Sequence, residues 1–201
     1  KRGMCNMPGQ VKTIINVKHE NRDRVTVLFR GILVFPMFIY LGSLMQAWHW
    51  GISSVVFTVP VILTLVFRGK YPSYILTFNH AMLELSTRIT AYVLFLTDDY
   101  PSIERNENVA VLFPDVEGGK KLSRWQPIFK VIFAIPLIIL GIIYTVLSII
   151  LSFLAWIHIL VTGKYPDPVI KWVIGCIKYW NRLIGYAGVL VTDEYPTFKL
   201  F

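Results

Sequence analysis

Arg68-Gly69-Lys70-Tyr71-Pro72 returns 94 residues later as Thr162-Gly163-Lys164-Tyr165-Pro166. Each copy closes a long apolar run and opens an amphipathic one. Downstream, Thr97-Asp98-Asp99-Tyr100-Pro101 returns as Thr192-Asp193-Glu194-Tyr195-Pro196, and Arg88 and Tyr92 return as Arg182 and Tyr186. Upstream, Arg24, Arg30 and Pro36 match Arg124, Lys130 and Pro136 at an offset of 100. A fixed period of this kind reads as two copies of one structural unit, residues 1–105 and 106–201.

The apolar runs decide the class. No Asp, Glu, Lys or Arg occurs from Gly31 to Phe67, 37 residues, or from Val131 to Gly163, 33 residues. Hydrophobic residues make up 55% of the chain, charged residues only 16%, and the mean hydropathy is +0.56. A helix needs about 20 apolar residues to span a bilayer core. Each run is too long for one span and suits two, so the reading is an all-α integral membrane protein with about four spans. Each unit is a transmembrane helical hairpin followed by an interfacial amphipathic helix. The first unit holds a hairpin over about 25–68 (helices 25–47 and 51–68) and an amphipathic helix over about 72–96. The second holds a hairpin over about 124–162 (helices 124–141 and 144–162) and an amphipathic helix over about 167–191.

The turns follow from local chemistry. Gln46, Trp48, His49, Trp50 and Gly51 form the first hairpin turn, with Trp as a boundary anchor. Gly141 is the candidate for the second. Pro36 and Pro136 each remove a backbone hydrogen bond inside the first helix of their unit. Gly69 and Gly163 suit the left-handed position after a helix, and Pro72 and Pro166 the first turn of the next. Val11–Val17 and Val109–Phe113 are β-branched or apolar and bounded by polar, Gly or Pro residues. They read as short surface strands paired with each other.

The net charge of +8 is carried by Lys and Arg flanking the apolar runs. That placement marks the cytoplasmic side of a membrane and favours anionic lipid, so nucleic acid is not the expected partner. Lys171, Lys178 and Arg182 share one helix face, while His80, Glu84 and Arg88 share one in the first unit. Lys70, Arg88, Lys164, Lys171 and Lys178 are the candidate contacts to lipid or to other subunits of a membrane complex. If each amphipathic helix spanned, the two units would face opposite ways. Both hairpins therefore face the same way, with the termini, the Gly-Lys-Tyr-Pro turns and the 97–124 linker cytoplasmic and His49 opposite.

Each copy resembles a family of bacterial membrane domains of unknown function, number 4389, the second more closely, which implies two tandem copies in a bacterial inner membrane. The residues that carry the resemblance are Leu122-Ser123-Arg124-Trp125, Ile135-Pro136, Thr162–Pro166, Arg182, Tyr186 and Thr192–Phe198. The first copy is looser: Arg68 stands for Thr before Gly69 and Val25 for Trp. The resemblance implies architecture and brings no activity.

No catalytic constellation is read. Cys5 and Cys176 have no metal-ligand spacing. His158 lies in an apolar run, where a haem ligand is conceivable and a polar residue at the interface is the simpler reading. Asp98-Asp99 and Asp193-Glu194 could hold a divalent cation; as turn residues they instead cap a helix or pair with a basic residue, Asp98 or Asp193 meeting Arg88, Arg182 or a backbone amide. No cofactor is expected. Gly69, Pro72, Asp98, Gly163, Pro166, Arg182 and Asp193 are assigned to structural turns and polar pairs. The leading expectation is a non-catalytic scaffold or accessory subunit. The alternatives are a channel or transporter formed by oligomerisation and a lipid-modifying enzyme.

Overall fold

The computed structural model describes residues 9–17, 24–44, 52–104, 108–123 and 125–200. The chain is mostly helical. Six helices run α1 (Arg24–Leu33), α2 (Phe35–Leu44), α3 (Ile52–Arg68), α4 (Ser73–Val93), α5 (Gln126–Thr162) and α6 (Asp167–Leu183). Two strands, β1 (Lys12–Ile15) and β2 (Val109–Leu112), pair antiparallel with Lys12 opposite Leu112 and Ile15 opposite Val109. The expected first hairpin turn, Gln46–Gly51, lies outside the described residues apart from its flanks.

Two stretches, Val25–Gly42 and Phe129–Thr162, are helical, long and apolar enough to cross a membrane by length and composition. The second corrects the expected hairpin over 124–162. In place of two helices with a turn at Gly141, α5 is one helix of 37 residues, about 55 Å at 1.5 Å per residue. Gly141 serves close packing and not a turn. A Cβ there would lie 3.0 Å from the Trp180 indole and 3.2 Å from the Tyr179 ring. A small residue lets α6 approach α5, and nothing in this segment forces the helix to stop.

Proline acts differently in the two apolar segments. Before Pro36 the helix breaks at Val34, which separates α1 from α2. α5 continues through Pro136, and the Tyr195 hydroxyl donates to the Phe133 carbonyl at 3.2 Å in the turn before it. A proline inside a helix leaves the carbonyl four residues earlier, here that of Ile132, without its amide partner; the Tyr195 bond falls on the next carbonyl along.

The Gly-Lys-Tyr-Pro elements behave as the sequence suggests. Gly69 and Gly163 have φ of 60° and 72°, and their amides bond back to Leu65 and Ile159. Pro72 and Pro166 are extended residues capping the N-termini of α4 and α6. The amphipathic helices end earlier than expected, α4 at Val93 and α6 at Leu183, the latter passing into a π-helical turn over Ile184–Gly188.

α6 lies antiparallel against α5. Tyr179 Oη donates to the Leu137 carbonyl at 2.8 Å and Trp180 Nε1 to Thr145 Oγ1 at 2.8 Å. The Tyr144 ring meets both Trp172 and Tyr179 edge-on. The apolar face of α6 is thus covered by protein along the middle of α5, whereas the sequence reading gave that face to lipid. Behind α6 and α4 sits the β-ribbon. Asn181, buried on α6, donates to Thr13 Oγ1 of β1 at 2.9 Å and to Thr87 Oγ1 of α4 at 3.0 Å.

Four apolar clusters form the core. One gathers Val61 and Leu65 of α3, Tyr71, Ile75 of α4 and Val189–Val191; another gathers Ala155 and Ile159 of α5, Tyr165, Ile170 of α6, Ala91 and Leu96. Val34 and Met37 pack on Leu85 and Ile89, and Ala134 and Leu137 pack on Tyr179 and Leu183.

Gly141→Leu is expected to lower thermal stability in detergent. Helix propensity favours Leu by up to about 1 kcal/mol, but forcing a side chain against Trp180 and Tyr179 costs about 1–3 kcal/mol. A melting temperature equal to or above that of the parent would contradict this packing.

Candidate functional site

The strongest polar chemistry lies where each charge-free run begins. A cation on the buried side of an apolar helix needs a counter-charge, because removing it from water unpaired costs several kcal/mol. Arg30 on α1 is 2% exposed. Its Nη2 meets Asp98 Oδ1 at 2.7 Å and its Nη1 donates to the Tyr92 carbonyl at 2.9 Å. The guanidinium stacks 4.4 Å from the Tyr92 ring centre and 5.1 Å from that of Phe95.

Lys130 on α5 is 1% exposed and repeats this arrangement with an ammonium. Its Nζ donates to Asp193 Oδ1 at 2.6 Å and to the Thr192 carbonyl at 2.7 Å, and lies 5.3 Å from the Tyr186 ring centre. The second oxygen of Asp193 accepts the Ser123 amide at 2.6 Å. Thr97 and Thr192 shape the acidic turns by accepting the amides of Asp99 and Glu194. An open cleft of about 690 Å³ lies over the Lys130–Asp193 pair, walled by Phe129, Phe133, Pro136, Tyr186 and Tyr195.

The basic partners differ from those expected, while the Ser123 amide on Asp193 is a backbone contact of the expected kind. Asp98 and Asp193 pair with Arg30 and Lys130, 68 and 63 residues away, and not with Arg88 and Arg182. Arg88 pairs with Glu84 at 3.3 Å and donates to the carbonyls of Ser102 and Glu104. Arg182 donates to Thr197 Oγ1 at 2.7 Å and to the Lys199 carbonyl at 2.6 Å. Burial lowers the pKa of Arg182, yet an arginine remains charged throughout. Both arginines therefore strap down the segment that follows the acidic turn. Arg30 and Lys130 stand just before the apolar runs, where they pass for ordinary flanking charge. Their recurrence at an offset of 100 was the signal that could have singled them out.

The remaining candidates scatter. Lys70, Lys164, Lys171 and Lys178 are exposed. His158 Nδ1 lies 2.9 Å from the Lys164 carbonyl and 3.1 Å from Thr162 Oγ1, so the imidazole is engaged in the turn after α5. Among the described residues no three His, Cys, Asp or Glu side chains come close enough to hold a metal ion.

Residues 124–199 match the family described as Domain of unknown function (DUF4389). Within this DUF4389 domain lie α5, α6, the Lys130–Asp193 pair and the Arg182 strap. No curated protein and no solved structure matches the chain.

Asp193→Asn is expected to destabilise the protein by about 3 kcal/mol, since it strands a buried ammonium. Adding Lys130→Met to Asp193→Asn should recover part of that loss. Thermal melts in detergent, with and without millimolar calcium, check this. Stabilisation of the parent by calcium that vanishes in the variant would point to a metal site instead.

Proposed function

We propose that the protein is a non-catalytic membrane scaffold or accessory subunit, built as two copies of one unit and held at the cytoplasmic face of a bacterial inner membrane. The observation that carries the membrane reading is the uncovered apolar surface of α5. Phe129, Ile132, Ile139, Val146, Phe153 and Val161 are each more than half exposed, from one end of the helix to the other. α1 and α2 add Val25, Phe29, Ile32, Phe35 and Ile39, each half exposed or more. Contiguous apolar surface on this scale is kept from water by lipid or by a partner.

The two-copy reading is supported by contacts that recur at the sequence offsets. Arg30–Asp98 answers Lys130–Asp193, and the arginine straps answer each other. Tyr71 donates to the Val189 carbonyl, and Tyr165 donates to the Leu94 carbonyl. Phe95 and Leu190, the next residues along, both have positive φ, 63° and 62°. Burial pushes the Tyr71 phenol up to about 12, so it acts as a neutral donor across the ordinary pH range.

The exposed lysines give the membrane reading a polarity. Lys164 precedes α6, Lys171 and Lys178 lie on it, and all three are solvent-exposed. Each basic group near an anionic surface contributes on the order of 1 kcal/mol. Lys171→Gln with Lys178→Gln should weaken flotation with vesicles containing anionic lipid and leave the melting temperature unchanged. Arg182→Gln should lower stability by about 2 kcal/mol, through the loss of two charged hydrogen bonds. Co-purification in mild detergent tests the scaffold role: a stable heteromeric complex supports it, and a lone homo-oligomer enclosing a water-filled pore replaces it with the channel.

A further inference from the structure

We infer that α5 lies along the plane of one leaflet instead of crossing the bilayer, its outer face among acyl chains and the lysine face of α6 among anionic headgroups. This rests on the membrane reading above and goes beyond it.

The decisive geometry is the height of α6 against α5. The apolar stretch of α5 runs from Phe129 to Thr162, so its midpoint falls near Thr145. α6 packs on α5 to both sides of that point, from Ala134 and Leu137 to Ala155 and Ile159, and several of its contacts fall close to it. Thr145 accepts from Trp180, Tyr144 packs on Trp172 and Tyr179, and Tyr179 bonds to the Leu137 carbonyl. Lys171 precedes Trp172 and Lys178 precedes Tyr179, and both lysines are exposed on the side of α6 turned away from α5. If α5 stood upright, both ammonium groups would face lipid near the bilayer centre.

Snorkelling does not rescue that arrangement. The headgroups would be about 15 Å away, half of a hydrocarbon core of about 30 Å, and a four-carbon lysine stem reaches roughly 6 Å. Length points the same way. At 37 residues α5 extends about 55 Å, far beyond the core thickness, and its exposed apolar residues run from Phe129 to Val161. Laid flat, the same helix buries that face along its whole length. α6 then sits above it as a second layer, with Lys171 and Lys178 at phosphate level. A charged face opposite an apolar one, running parallel over many turns, is the pattern of an in-plane membrane element.

Depth measurement on the full chain tests this. With Cys5→Ser and Cys176→Ser as background, Ile132→Cys, Ile139→Cys, Val146→Cys, Phe153→Cys and Val161→Cys would each carry a nitroxide in vesicles of phosphatidylcholine and phosphatidylglycerol. Oxygen and a water-soluble nickel chelate serve as the two relaxants. The expected result is one common depth below one leaflet's phosphates at all five sites, with a Lys178→Cys label open to the nickel reagent. A depth profile that peaks at 146 and becomes shallow at 132 and 161 overturns the in-plane placement and leaves the membrane reading standing. Labels at all five sites reached by nickel and not by oxygen would sink the membrane reading as well. Polarised infrared spectra of the unlabelled chain in oriented bilayers guard against label damage. Amide I dichroism of helices parallel to the plane supports the inference, and dichroism of helices along the normal rejects it.

Discussion

The arrangement hangs on two buried cations that cannot be left unpaired. Arg30, in the last turn of α1, and Lys130, in the second turn of α5, sit just before the charge-free runs and are almost wholly out of solvent. Each finds its carboxylate only after the chain has run out along the apolar segment, turned at Gly-Lys-Tyr-Pro and come back along an amphipathic helix. The pairs Arg30–Asp98 and Lys130–Asp193 therefore close long loops. Closing them forces α6 to return beside α5 and α4 to return to the foot of α1. A buried pair of this sort contributes little net stability over an apolar substitute. What it supplies is register: the returning helix must end where the outgoing one began.

Register explains what the sequence could and could not convey. The strand segments, the glycine turns at positions 69 and 163 and the proline caps at 72 and 166 depend on a few neighbouring residues, so local chemistry was enough to read them. Gly141 was misread because its meaning is not local. A glycine inside an apolar run is compatible with a turn or with a close helix contact, and the deciding residues, Tyr179 and Trp180, lie about 40 positions away. The acidic turns show the same limit. Asp193 has Arg182 eleven residues upstream as an obvious partner, yet the π-helical turn over Ile184–Gly188 swings the chain so that Lys130 faces it instead. The amphipathic pattern of α6 was visible. Its apolar face fits a lipid surface and the surface of α5 equally well, and only the fold distinguishes them.

The two layers also divide the labour between helix types. α5 carries no charge after Lys130, and its narrow buried stripe of Ala134, Gly141, Ser148 and Ala155 recurs every seven residues. Small residues at that spacing let one helix seat closely along another with a shallow crossing. Leu137 and Ile159 are buried beside this stripe, and most of the other wide apolar side chains are turned outward. α6 has the opposite economy: Val173, Cys176, Ile177 and Tyr179 face inward, and its lysines face out.

Neither half of the chain completes its own core. The cluster around Val61, Leu65 and Tyr71 is filled by Val189, Leu190 and Val191, which follow α6. The cluster around Ala155, Ile159 and Tyr165 is filled by Val27, Ala91 and Leu96, from α1 and the end of α4. The tyrosine hydroxyls cross in the same sense, Tyr71 to Val189 and Tyr165 to Leu94, and β1 and β2 complete one ribbon between the halves. Strands of four residues are too short to be stable as an isolated hairpin; they hold because α4 and α6 support them from both halves at Thr87 and Asn181. In this chain the DUF4389 domain at 124–199 therefore takes essential packing from residues outside its own span. Its packing unit is the pair of halves.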